Sequence, residues 1–249
     1  MALLALYCIC LVVGLLVGGT GMGGILIPPA LVLLSGLKTH AAMATTIASF
    51  IPMNVLGCYL FHRLGHIRWR NAIPFTLGGA LAAGPAALFN VYFNASFLNC
   101  LLALLVLFAA FSSFKPPRHN TSRESRWLSP RGLFVIGMVT GTMAGITGAG
   151  GPLLAIAWMV PCGMPPLAAI GLTMPYSLAT ALTATFSNWL NANVDGPMLL
   201  KAGSLELAGF ICGVLAVSHM PVLWIRRLMA VTCAVLGLFL LVRSLFLPV

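Results

Sequence analysis

Long apolar runs fill most of this sequence and restrict it to few kinds of fold. About eight occur, at roughly 2–35, 40–61, 72–93, 96–114, 132–161, 166–190, 202–218 and 222–247. Only 6% of the 249 residues are charged, whereas a soluble domain carries about 25%. In lipid, each segment must satisfy its own backbone hydrogen bonds, so α-helices are the default. We therefore predict an all-α integral membrane protein with about eight transmembrane spans of about 20 residues each.

Two of the runs are too long for one straight crossing, and glycine interrupts both. A helix of about 34 residues would extend roughly 50 Å, whereas the hydrocarbon layer is about 30 Å thick. The word Thr20-Gly-Met-Gly-Gly24 interrupts the first run, and Thr147-Gly-Ala-Gly-Gly151 interrupts the fifth, 127 residues later. We therefore predict two homologous transmembrane repeats, each with a glycine-broken first helix. They comprise residues 1–114 and 132–249, joined by a basic linker at 115–131.

The net charge of +10 does not indicate nucleic-acid binding, because the basic residues lie mainly between apolar runs. The linker carries five of them and is predicted to be cytoplasmic by the positive-inside rule. The same rule does not decide how the repeats are oriented. Parallel and inverted repeats both place about ten basic residues inside and three outside, so both topologies stay open.

The two glycine words are the main candidates for a binding site. Consecutive glycines break a helix at low cost, and the free N–H groups at the start of the next half-helix attract anions. Paired breaks at matching places in two halves indicate a transporter's substrate site. The candidate substrate-binding residues here are Thr20, Gly21, Gly23, Gly24, Thr147, Gly148, Gly150, Gly151 and Pro152. The alternative is close helix packing, which we favour for Gly14-xxx-Gly18 and Gly137-xxx-Gly141-xxx-Gly145.

Polar side chains follow each break at helical spacing. Thr173, Ser177 and Thr180 share one face of the run 166–190. In the first half, Thr45 and Ser49 begin a similar stripe, and Thr46 and Asn54 are further candidates. Such stripes line a translocation path or form hydrogen bonds between helices, and the pattern alone does not separate these roles.

Ionisable residues are few. Glu206 lies inside an apolar run, so it is a candidate for proton coupling, with pairing to Lys201 as the alternative. His62 and Arg63 are candidates for attracting an anion at the cytoplasmic mouth. The sequence contains no nucleophile–base set, metal-ligand spacing or phosphate-binding motif. We therefore expect neither enzymatic activity nor a cofactor or metal site.

The chain resembles the sulfite exporter TauE/SafE family in three features. These are the duplicated glycine words, the following segment Gly163-Met-Pro-Pro166 and the length near 250 residues. The resemblance covers essentially the whole chain. It implies transport of small anions, such as sulfite, sulfoacetate, other organosulfonates or carboxylates, across a bacterial inner membrane. It also implies coupling to protons.

We therefore expect a multi-pass secondary transporter that moves a small oxyanion by alternating access. Its partners would be the anion, membrane lipid and protons, and a homodimer is left open. An anion channel or a carrier of small carboxylates is the alternative. The lack of a catalytic constellation argues against a membrane enzyme or an assembly chaperone.

Overall fold

The computed structural model describes residues 2–21, 23–94, 96–98, 100–101, 104, 107, 126–148, 151–160, 162–190, 194–217 and 238. Within these residues the α-helices are α1 (Ala2–Thr20), α2 (Ile27–Ser35), α3 (Thr39–Arg63), α4 (Trp69–Phe89), α5 (Pro130–Thr147), α6 (Gly151–Met159), α7 (Pro166–Leu190) and α8 (Gly196–Val217). Short 3-10 helices occupy Gly24–Leu26, Asn90–Tyr92 and Arg126–Leu128.

Four of these helices, α3, α4, α7 and α8, are long and apolar enough to cross a membrane. The helix α1 and the segment Gly24–Ser35 are apolar but shorter. The described chain is thus helical and suited to a bilayer, as the composition predicts. Most of the linker and of the runs at 96–114 and 222–247 lies outside the described residues, so the count of eight spans stays a prediction.

Both long runs break at the glycine words. The helices α1 and α5 end at Thr20 and Thr147. The next residues, Gly21 and Gly148, adopt left-handed backbone conformations, with φ of 68° and 81°. Each donates its N–H back into the finished helix, Gly21 to Val17 O at 2.9 Å and Gly148 to Ala144 O at 2.8 Å. Glycine adopts this conformation without the steric cost that a Cβ adds.

The helix α1 packs closely against α8, the last helix of the described chain. A Cβ added at Gly14 would collide with the backbone carbonyl of Glu206, and one at Gly18 with that of Phe210. Because the residue numbers at the contact increase in the same direction along both helices, the two helices are parallel. The glycine spacing therefore serves helix packing here, as predicted.

The helix α4 packs in the same way against α5. A Cβ at Gly137 would meet the carbonyl of Phe75, and one at Gly141 would meet the carbonyl of Gly79. These contact positions also rise together, so α4 and α5 are parallel. Each of the two tight pairs joins one helix from residues 1–114 to one from residues 132–249.

The helices α3 and α7 pack against each other between these pairs. A Cβ at Gly57 would lie 2.6 Å from Met174 Sδ, and one at Gly171 would lie 2.6 Å from the carbonyl oxygen of His66. Contact positions therefore fall along α7 as they rise along α3. The two central helices run antiparallel.

Basic residues gather at one end of the bundle. Arg63 ends α3 and Arg68 precedes α4. Arg131 lies in the first turn of α5, which is at the same end as the first turn of α4 because the two helices are parallel. Lys38 precedes α3 and Lys201 lies near the start of α8, at the opposite end. Among the described residues, one end of the bundle is therefore more basic than the other.

Candidate functional site

A small cavity of about 60 Å³ lies between the two glycine turns. Residues of α1, α3, α5, α6 and α7 and of both glycine turns line it: Val17, Gly21, Gly23, Gly24, Ile25, Ile47, Phe50, Met53, Asn54, Ala144, Gly148, Pro152, Leu153, Thr173, Met174, Ser177, Thr180, Ala181 and Ala184. The turns that interrupt the two long runs thus meet at one place, as the duplicated words predict.

Many of the sequence-predicted binding residues line this cavity, namely Gly21, Gly23, Gly24, Asn54, Gly148, Pro152, Thr173, Ser177 and Thr180. Three others do not, namely Thr46, Thr147 and Gly151. Gly150 and the side chain of Thr20 lie outside the described residues. Sequence reasoning missed the apolar part of the lining, because apolar residues on a membrane helix carry no signal that separates a cavity wall from a lipid-facing surface.

Each glycine turn packs against a long helix of the other half. A Cβ at Gly21 would lie 2.9 Å from Ile170 Cγ2 of α7, and one at Gly148 would lie 2.7 Å from the carbonyl oxygen of Met43 in α3. Ile170 and Met43 are themselves 127 residues apart, like the turns. The two turns are therefore held by matching contacts across the cavity.

Two polar side chains offer unused hydrogen-bonding groups to the cavity. Asn54 and Ser177 are 6% and 9% exposed, and within the described part of the chain neither side chain has a hydrogen-bond partner. By contrast, the hydroxyls of Thr173 and Thr180 donate to helix carbonyls, at 2.7 Å to Ile170 O and 3.0 Å to Tyr176 O. Asn54 and Ser177 are thus the side chains best placed to donate to a ligand.

The cavity has more polar residues on its α7 wall than on its α3 wall. The α7 wall presents Ser177 and Thr180, whereas positions 127 residues earlier on α3 carry Phe50 and Met53. Asn54 is the polar contribution of α3. None of the described lining residues is charged. The site therefore has neutral donors on both walls, with more polar residues on α7 and a larger apolar surface on α3.

The predicted stripe of Thr45 and Ser49 serves contacts between helices. Thr45 Oγ1 accepts a hydrogen bond from the backbone N–H of Asp195 at 3.1 Å. Ser49 Oγ lies 2.8 Å from Glu206 Oε2. Neither residue lines the cavity. For these two positions, the alternative of interhelical hydrogen bonding describes the structure.

Glu206 is completely buried against α1 and α3, outside the cavity lining. Its Oε1 atom has no hydrogen-bond partner among the described residues. Lys201 is exposed at the surface, and the described chain contains no ion pair between the two. The alternative of pairing with Lys201 is therefore wrong for this conformation.

The mouth candidates His62 and Arg63 lie at the exposed end of α3. Trp69 Nε1 donates to His62 Nδ1 at 3.3 Å, and the Arg63 guanidinium lies 5.4 Å from the ring centroid of Tyr59. A larger cavity of about 530 Å³ opens nearby, at the basic end, and its lining includes Arg68 and Arg70. Neither mouth candidate lines either cavity.

Paired helix breaks around a cavity inside an apolar bundle are typical of membrane transporters. Comparison with known proteins agrees. The model of the sulfite exporter TauE/SafE family matches residues 6–240, and the chain belongs to this family. It is 26% identical over 241 residues to the "Probable membrane transporter protein YdhB" of Bacillus subtilis (strain 168), covering 92% of this chain and 96% of that protein. No solved structure shows significant similarity to the present chain.

Proposed function

We propose that this protein is a secondary transporter that moves a small oxyanion by alternating access around the central cavity. Sulfite, sulfoacetate and other organosulfonates are the candidate substrates, and protons are the coupling ion. The observation that carries the proposal is the meeting of both glycine turns at one cavity, to which Asn54 and Ser177 present polar groups that have no hydrogen-bond partner among the described residues.

The size of the cavity fits a small anion. One water molecule needs about 10–15 Å³ of cavity volume. A cavity of about 60 Å³ therefore holds roughly four to six water-sized atoms. A sulfite ion or a sulfonate head group has four heavy atoms and fits. A longer organosulfonate would need the turns or the apolar α3 wall to move outwards.

The neutral lining favours binding that is weak enough to release. A hydrogen bond to a charged group contributes about 1.5–3 kcal/mol, so two donors contribute roughly 3–6 kcal/mol before the costs of binding. A dissociation constant of 1 mM corresponds to about 4 kcal/mol. Affinity on the order of millimolar suits a carrier that must discharge its substrate in every cycle.

The helix directions support inverted repeats. The central helices α3 and α7 are antiparallel, and the tight pairs α1–α8 and α4–α5 match each other between the halves. With the basic end in the cytoplasm, the Arg63–Arg70 loop and the end of the linker lie inside. The family supports a bacterial inner membrane as the location.

The test is counterflow in proteoliposomes. Purified protein is reconstituted with unlabelled anion inside, and transient uptake of labelled anion is followed for sulfite, sulfoacetate, sulfate and small carboxylates. A carrier accumulates label against its gradient, whereas a channel does not. Counterflow with carboxylates and none of the sulfur anions would favour the carboxylate carrier. Uptake of every anion without counterflow would refute the alternating-access proposal.

A further inference from the structure

The carboxyl group of Glu206 occupies a sealed position behind the cavity wall. Glu206 is 0% exposed. The backbone carbonyl of Glu206 lies against Gly14, which lets α1 approach α8 closely. Its one hydrogen-bonded neighbour in the described chain is Ser49 of α3. The next residue along α3, Phe50, lines the cavity and covers Gly24. A single turn of α3 therefore separates the acid from the candidate anion site.

The hydrogen bonds around Ser49 depend on the protonation state of Glu206. Ser49 Oγ lies 2.9 Å from the carbonyl oxygen of Thr46 and 2.8 Å from Glu206 Oε2. A hydroxyl has one hydrogen to donate, and a carbonyl oxygen can only accept. Both contacts are full two-centre hydrogen bonds if Ser49 donates to Thr46 and Oε2 carries a proton that it donates to Ser49; with an ionised Glu206, Ser49 would share its one hydrogen between two acceptors. In the protonated form, Oε1 is a neutral acceptor without a partner, which is the cheapest kind of buried group to leave unpaired.

An ionised Glu206 would be poorly stabilised here. Among the described residues its carboxylate would have one neutral donor, Ser49, whose single hydrogen would be shared with or taken from Thr46. Lys201, on the same helix, is exposed and makes no ion pair with it. The titratable group that faces it from α1 is Cys10, which is also buried, and α3 presents only Ser49. Burying a charge without a counter-charge costs far more than an unpaired neutral acceptor does.

We infer that Glu206 is the proton-binding site of this transporter, that it is separate from the anion cavity, and that this conformation holds it protonated through Ser49 and Thr46. The inference rests on the proposed function. On release, the proton passes from Oε2 to water once the interface of α1, α3 and α8 opens. The Ser49 hydroxyl then turns from Thr46 to the carboxylate, so the local hydrogen bonding of α3 changes one residue away from the cavity wall.

Infrared spectroscopy tests the protonation directly and needs no substrate. The sequence has only three carboxylic side chains, Glu124, Asp195 and Glu206, so the C=O stretch of a protonated acid is easily assigned. We expect the wild-type protein in detergent at neutral pH to show this band and Glu206→Gln to lack it. Ser49→Ala should keep the band but move it to higher frequency, because the acid loses its acceptor. A wild-type spectrum without the band, or an unchanged band in Glu206→Gln, would overturn the inference.

Transport measurements test the coupling. We expect Glu206→Gln to keep anion counterflow within about twofold of wild type. The same variant should reduce the anion accumulation driven by a pH gradient at least tenfold. The matched control is Thr76→Val, because Thr76 holds the corresponding position of α4 when Gly79 is aligned with Gly209, and its buried hydroxyl also lacks a partner among the described residues. This control should retain both activities.

The outcomes separate the two proposals. If Glu206→Gln keeps counterflow and also accumulates anion in response to a pH gradient as wild type does, the proton site is elsewhere and the carrier proposal stands. If wild-type protein shows no counterflow, the carrier proposal fails, and the infrared band still decides whether Glu206 holds a proton. If Glu206→Gln does not fold, the band shift in Ser49→Ala decides the same question.

Discussion

Replacing Gly148 with alanine tests a close approach of backbone to backbone at the candidate site. Gly148 has a φ of 81°, and its added Cβ would lie 2.7 Å from the carbonyl oxygen and 2.9 Å from the Cα of Met43. The obstacle is backbone, so no side-chain rotation relieves it. The chain offers a matched control in Gly36, which has a φ of 70° and no neighbouring atom within 4 Å of an added Cβ.

The two substitutions share the backbone cost and differ in the contact. A left-handed conformation costs a residue with a Cβ about 1–2 kcal/mol, so Gly36→Ala should lose about that much stability. Gly148→Ala should lose a further 1–3 kcal/mol or so, the typical cost of overpacking a close contact. With about 2–4 °C per kcal/mol for a protein of this size, its unfolding midpoint should lie roughly 2–12 °C below that of the control.

The measurement is thermal unfolding in one detergent, followed by loss of monodisperse protein on size-exclusion chromatography, with counterflow of each variant in proteoliposomes. Gly148→Ala should also reduce counterflow, because Gly148 lines the cavity, whereas Gly36→Ala should not. Equal midpoints for the two variants would show that the close approach of Gly148 to α3 does not constrain the fold, and the assignment of the turn would need revision.

Three further outcomes follow from the structure. Asn54→Leu should raise the half-saturating anion concentration about tenfold, the effect of losing about 1.4 kcal/mol. Thr180→Val should change this concentration less than threefold, because the Thr180 hydroxyl already donates to a helix carbonyl. Equal effects of the two substitutions would remove Asn54 from the site. Gly141→Leu should prevent α4 and α5 from packing and abolish monodisperse protein, whereas Met138→Leu, on the exposed face of α5, should not. Lys201→Gln should leave the pH dependence of transport unchanged, since this residue is exposed; a shifted pH profile would mean that it acts on the coupling proton.

The helix ends at the glycine turns were predictable from sequence, because the cause is local. A run too long for one crossing must break, and Gly21 and Gly148 supply the conformation that the break needs. The face shared by Ser177 and Thr180 was predictable for the same reason, since helical spacing fixes it. Their meeting in one cavity followed from the duplication of the words.

The relative direction of the halves was not predictable, because basic residues balance equally in both topologies. Contacts such as Gly171 with His66 settle how α3 and α7 run in the structure. The contact between Ser49 and Glu206 joins residues 157 positions apart, and no local pattern indicates such a pair. The separate roles of Ser49 and Ser177, on helices of similar composition, depend entirely on which neighbour each one faces.

The pairing of α1 with α8 and of α4 with α5 interlocks the two halves of the chain. Each half gives an outer helix to a backbone-tight contact with the other. In the proposed transport cycle, the moving units would therefore be mixed pairs, each with one helix from either half. Two polypeptides divided within 115–131 should therefore reassemble when co-expressed, held together by these contacts rather than by the covalent link.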